Sequence, residues 1–83
     1  NPSQQKKLPL LLLNLCSSSL GRATIIEAKA EADTLATQLS MLQAEYVVVV
    51  IKNFDLSVFS NPMAAELNLN HISQHHRISL KFI

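Results

Sequence analysis

Two short apolar runs decide the fold that this sequence predicts: Leu8-Pro9-Leu10-Leu11-Leu12-Leu13-Asn14-Leu15 and Val47-Val48-Val49-Val50-Ile51. Neither run alternates apolar with polar residues, which is typical of strands that are covered on both faces. Between the runs, residues 24–46 repeat apolar side chains every three or four positions. That spacing predicts an amphipathic helix of about 20 residues. The first half of the chain is therefore predicted to form a strand, a helix and a second strand.

The second half of the chain completes the predicted order. Residues 56–59 follow the turn-forming sequence 52–55 and predict a third strand that pairs with the second. Pro62 suits the first position of a short helix that ends between residues 70 and 75. Residues 77–83 alternate apolar and polar side chains, as an edge strand does. The order β-α-β-β-α-β predicts a ferredoxin-like, two-layer α+β sandwich, with a small three-layer α/β fold as the alternative.

Length and composition indicate one small domain that shares apolar surface with a partner. The 83 residues allow one modest core. Residues 1–7 are polar and predict a flexible N-terminal segment, and residues 8–83 predict a single α+β domain. Apolar residues make up 48% of the chain and charged residues only 16%, too few to cover its surface. We therefore expect a second copy or another protein to cover the bare face of the sheet.

The distribution of charge excludes one class of partner. Seven basic and six acidic residues are mixed along the chain, and the net charge is +1. Without a basic stripe or a platform of aromatic residues, nucleic-acid binding is not expected. No apolar run reaches the roughly 20 residues of a transmembrane span. Lys6-Lys7 and the leucines after them imitate a secretory signal, but Pro9, Asn14 and the lack of a small-residue cleavage site favour a strand.

Cys16 is the strongest candidate for a catalytic residue. As the single cysteine it excludes an internal disulfide and favours a reducing intracellular compartment. Cys16 and Arg22 have Cys-x5-Arg spacing, which is similar to the phosphate-binding loop of cysteine-dependent phosphatases. The resemblance implies that Cys16 is a nucleophile and that Arg22 holds a phosphoryl group beside a helix N-terminus. Two other interpretations stay open, a monothiol redox site formed with Ser19 and a buried structural cysteine.

His71 and His75 are the candidate metal ligands. They lie four residues apart and would share one face of a helix, as metal-binding histidines often do. The structural alternative is a polar helix end, where imidazoles suit the negative end of the helix dipole. Nothing in the sequence indicates a cofactor.

The sequence therefore predicts a non-enzymatic assembly or protein-interaction module. It would be a homo-oligomer, or a subunit or fragment of a larger complex, with a protein partner or a second copy as its ligand. The alternative is a phosphoryl-transfer enzyme with Cys16 as nucleophile and Arg22 as phosphate clamp. A small-molecule ligand is neither indicated nor excluded.

Overall fold

The computed structural model describes residues 2–40 and 43–77, and the regular structure in these ranges is helical. Four α-helices follow one another: α1 (Pro2–Leu15), α2 (Ser19–Gln38), α3 (Tyr46–Asn53) and α4 (Ala65–His75). Two 3₁₀ helices connect α3 to α4: Leu56–Ser60 and Pro62–Ala64. The predicted ferredoxin-like α+β sandwich is therefore wrong, and so is the three-layer α/β alternative, because the described residues contain no strand.

The first predicted strand, residues 8–15, is the second half of α1. Leucine has a high helix propensity, and a short apolar run does not by itself distinguish a strand from a buried helix. Pro9 lies inside the helix, where its missing N–H normally destabilises the backbone, but its ring is completely buried in the fold. α1 begins at Pro2 and so includes most of the segment 1–7; the flexibility of that segment stays a prediction.

A long helix is confirmed as α2, although both of its ends differ from the prediction and Leu35, one of the repeated apolar residues, is exposed. It begins at Ser19 rather than Thr24, because the Ser18 hydroxyl caps it by accepting a hydrogen bond from the Gly21 N–H at 3.0 Å. It ends at Gln38, well before Tyr46. The helical repeat therefore gave the right element, and the cap set where that element starts.

The second predicted strand, residues 46–52, lies in α3. Each valine costs a helix a few tenths of a kcal/mol relative to alanine, because β-branching restricts its side chain. Burial of Val49 and Val50 outweighs this cost, since α3 packs along α2. The Lys29 ammonium of α2 also donates a hydrogen bond to the Lys52 carbonyl near the end of α3. The run is apolar because it is buried in a helical packing, not because it pairs in a sheet.

The chain after α3 also differs from the prediction. Residues 56–59, predicted as a third strand, lie in a 3₁₀ helix whose cap is Asp55; its carboxylate accepts a hydrogen bond from the Ser57 N–H at 2.9 Å. Pro62 begins a helical segment as predicted, a 3₁₀ turn that runs into α4. Of the predicted edge strand 77–83, only Arg77 is described, in a turn with φ 56°; residues 78–83 lie outside the described residues.

One hydrophobic core joins all four helices. Its largest fully buried side chains come from α2, α3, α4 and the position after α3: Ile25, Val50, Leu69 and Phe54. Leu12 and Cys16 extend the core to α1, and Val58 extends it to the first 3₁₀ helix. Part of each apolar run, Leu12 in the first and Val49 and Val50 in the second, is thus buried in a helical packing instead of in a sheet.

Candidate functional site

Cys16 and Arg22 meet at the junction of α1 and α2. Cys16 directly follows α1, and Arg22 lies in the first turn of α2. The Arg22 guanidinium donates a hydrogen bond from Nη1 to the Cys16 carbonyl oxygen at 3.2 Å. The two residues of the Cys-x5-Arg spacing are therefore close, but they lie between two helices rather than between a strand and a helix.

The Cys16 thiol belongs to the hydrophobic core. The residue is 5% exposed and shares that core with Leu12, Ile25 and Phe54. Burial raises the pKa of the thiol above its ordinary value of 9.0, and the nearby charge of Arg22 lowers it by less. A nucleophilic thiolate requires the opposite balance, with a depressed pKa and access to solvent. This environment favours a structural role; the catalytic roles of Cys16 and Arg22 stay predictions.

The start of α2 packs tightly against the end of α1. A Cβ added to Gly21 would meet the Leu15 carbonyl oxygen and would lie 2.8 Å from the Leu15 carbonyl carbon. The Gly21 N–H already donates its hydrogen bond to the Ser18 hydroxyl. One of the N–H groups that a phosphate-binding loop would use is therefore committed to the helix cap.

His71 and His75 lie on one exposed face of α4, near its C-terminal end. Their ring centroids are 6.1 Å apart and their planes differ by 10°. His76 is the next residue, at the C-cap; it is half-buried, and its ring lies edge-on to that of His75 with the centroids 4.8 Å apart. The expected shared face for the first two histidines is therefore present.

The two histidines are an incomplete set of metal ligands within one chain. In residues 2–40 and 43–77, no three side chains of histidine, cysteine, aspartate or glutamate come together in a way that could hold a metal ion. Structural zinc sites normally use four protein ligands. Metal binding by His71 and His75 stays a prediction, and one chain alone supplies two of the four positions.

An exposed stripe that begins in the 3₁₀ turn Pro62–Ala64 and continues along the outer face of α4 is the feature that sequence reasoning missed. Met63 and Leu67 are 85% and 70% exposed, and the exposed His71 and His75 continue the same four-residue spacing. We call these four residues the α4 stripe. The opposite face of the helix buries Ala65, Leu69 and Ile72. The spacing is visible in the sequence, but it indicates a solvent-facing surface only once the buried side of α4 is known.

Two further findings bear on function. Among the described helices, none is both long enough and apolar enough to cross a membrane. Comparisons of the chain with protein-family models, with curated proteins and with solved structures find no match. The surface chemistry of the chain is therefore the basis on which a function can be argued.

Proposed function

We propose that this chain is a non-enzymatic helical assembly module that associates with a second copy of itself through the α4 stripe. The exposure of Met63 and Leu67 carries the proposal, since both are large apolar side chains, one in the 3₁₀ turn before α4 and the other in the first turn of α4. Burying apolar surface stabilises an association by about 25 cal/mol per Å² before the costs of binding are subtracted. The exposed pair is thus a local source of binding free energy.

Charge favours a second copy as the occupant of this surface. The α4 stripe contains no lysine, arginine, aspartate or glutamate, and the net charge of the chain is only +1. Two copies therefore approach each other with little electrostatic repulsion. A twofold axis running alongside α4 sets Met63 and Leu67 against the same residues of the copy, as isologous interfaces require. Because the stripe is small, we expect a weak dimer.

The other exposed apolar side chains are weaker candidates. Leu20 is 79% exposed but lies in the first turn of α2, on a different helix from the stripe. The remaining ones are less exposed than Leu67, at 37–53% of the side chain: Leu11, Ile26, Leu35, Leu39 and Val47. Leu20 is instead useful as a control, because it matches Leu67 in residue type, exposure and position in the first turn of its helix.

The experiment is sedimentation equilibrium over a concentration series in EDTA, with wild type, Leu67→Glu and Leu20→Glu. A carboxylate in the first turn suits the helix dipole in both variants, so neither is expected to unfold. Leu67→Glu removes an apolar contact from each copy and places two like charges at the interface. We expect the dimer dissociation constant to rise at least about tenfold. Leu20→Glu should leave it unchanged.

Two results would overturn the proposal. One is a wild-type protein that stays monomeric throughout the concentration series. The other is a dimer that Leu20→Glu weakens as much as Leu67→Glu does. Far-UV circular dichroism of each variant shows whether a loss of association is a loss of helix.

The competing function, phosphoryl transfer at Cys16, has the proximity of Arg22 in its favour. The buried thiol and its raised pKa argue against Cys16 as a nucleophile. Iodoacetamide should therefore alkylate Cys16 slowly in the folded protein and rapidly in urea. Rapid alkylation of the folded protein, at a rate that saturates near neutral pH, would make the enzymatic function the better explanation.

A further inference from the structure

We infer that His71 and His75 from two copies of this chain bind one Zn²⁺ ion between them, and that the ion tightens the dimer formed by the α4 stripe. The inference rests on the proposed function, because the site is complete only when a second copy is present. It adds a metal site to an interface whose other members are Met63 and Leu67.

Within one chain, the two imidazoles suit chelation. Residues four apart on a helix are neighbours on its surface. The rings of His71 and His75 are already 6.1 Å apart between centroids, and both are exposed. Zinc–nitrogen bonds of about 2.1 Å place two nitrogens of a tetrahedral site about 3.4 Å apart. Exposed rings reach that separation by rotation about their side-chain torsions, without movement of α4.

The ligand count is the argument for a bridge between copies. Imidazole nitrogen is a good ligand for zinc, and structural zinc sites take four protein ligands in a tetrahedron. Within the described part of the chain, no third metal-binding side chain joins His71 and His75. A twofold axis beside α4 brings the same pair from the copy and so supplies the two missing positions. His76 is half-buried and is not part of the stripe.

The metal and the apolar contact act on the same equilibrium. Leu67 lies one helical turn before His71, so the stripe places apolar contact and metal ligands side by side along one helix. A ligand that binds the dimer and not the monomer shifts the association equilibrium by mass action. Zinc should therefore strengthen an association that already exists without it.

The experiment measures dimerisation of the full chain in EDTA and in excess ZnCl₂, with isothermal titration calorimetry for the stoichiometry. We expect one zinc ion per two chains and a dimer dissociation constant at least about tenfold lower with zinc. His71→Gln and His75→Gln should each abolish the effect of zinc. His76→Gln is the matched control, an adjacent histidine outside the stripe, and should retain it. Glutamine keeps a polar, helix-compatible side chain in all three variants.

The possible outcomes separate this inference from the proposed function. Zinc binding at one ion per chain without tighter association overturns the bridge. The bridge is also overturned if His76→Gln loses the effect of zinc as fully as His71→Gln and His75→Gln do. A dimer in EDTA that zinc does not alter overturns the metal site and leaves the apolar interface standing. Dimerisation that appears only with zinc supports the bridge but overturns the apolar interface. A monomer in both conditions overturns both.

Discussion

Gly21 lies where the backbones of α1 and α2 approach each other closely. Replacing glycine by alanine within a helix normally stabilises it by about 1 kcal/mol. Here the new Cβ would meet the carbonyl group of Leu15, which is backbone and cannot rotate away. We therefore expect Gly21→Ala to lower the free energy of unfolding by about 2 kcal/mol, as overpacking does. Urea denaturation measures the change.

Whether Gly21→Ala raises or lowers the free energy of unfolding tests how closely α1 and α2 pack at their junction. Ala30→Gly, at an exposed position of the same helix, should cost about 1 kcal/mol through helix propensity alone. A Gly21→Ala variant more stable than wild type would show that α1 and α2 are further apart at this point.

Cys16 makes stability sensitive to alkaline pH. Burial raises the pKa of its thiol above 9.0 in the folded protein, so the thiol favours folding fully below 9.0 and loses that contribution as pH rises through the raised value. Tyr46 acts in the same direction, because burial raises its pKa above 10.0. We expect the free energy of unfolding, measured in urea, to fall as the pH is raised past 9.0.

The Cys16→Ala variant separates the pH dependence of stability that is due to the Cys16 thiol from the part that is due to Tyr46. This variant is less stable at neutral pH because it leaves a small cavity in the core. Its stability should nevertheless decline less steeply than that of wild type as the pH passes 9.0, leaving the later decline due to Tyr46. Parallel pH profiles for the two proteins would contradict a buried thiol with a raised pKa.

At the scale of single elements, substitutions in α3 give the most direct test of whether a segment is a helix or a strand. Val47 is 37% exposed and Val50 is completely buried in the same helix. Val47→Ala should stabilise the protein by about 0.5 kcal/mol, because alanine is the better helix former and little packing is lost. Val50→Ala should destabilise it by about 2 kcal/mol through the cavity it leaves. Chemical denaturation of both variants gives the comparison.

If residues 46–52 formed the predicted strand, the expected result would be different. Val47→Ala would then destabilise the protein, because valine is favoured in strands and alanine is not. The opposite signs expected for a helix and a strand make this one substitution decisive for the element.

The elements differ in how well their patterns specify them. The amphipathic repeat of α2 and the position of Pro62 predicted helical segments, which the structure contains. The leucine and valine runs have no periodicity, so burial on every side looks the same in a helix and in a strand. At the candidate sites, His71 and His75 lie on one face and Arg22 lies beside the Cys16 carbonyl, while the roles that spacing indicated for them stay predictions. It did not indicate that Met63 and Leu67 face solvent.

At the scale of the whole molecule, stability depends on one small core. A chain of this size typically has a free energy of unfolding of about 4–12 kcal/mol. Leu69 of α4 is completely buried in the core that all four helices share, so Leu69→Ala should cost about 3 kcal/mol. Leu67 lies in the same helix but is 70% exposed, and Leu67→Ala should change stability by less than about 0.5 kcal/mol.

Thermal unfolding of the two variants, at a concentration low enough to keep the protein monomeric, measures this difference. The midpoint should fall clearly for Leu69→Ala and stay close to wild type for Leu67→Ala. Similar losses in both would mean that Leu67 is buried in the monomer, and the α4 stripe would not be a free surface.

The sequence by itself determined that this is a single small apolar chain of low net charge, with a long amphipathic helix and a histidine pair at helical spacing. Those properties depend on composition and on spacing along the chain, which are local. Only the tertiary structure decided that the leucine and valine runs are helices and that Cys16 is in the core. It also decided which side of α4 is exposed. The physical reason is that an apolar side chain is stabilised by whatever covers it, and the covering residues are distant in sequence.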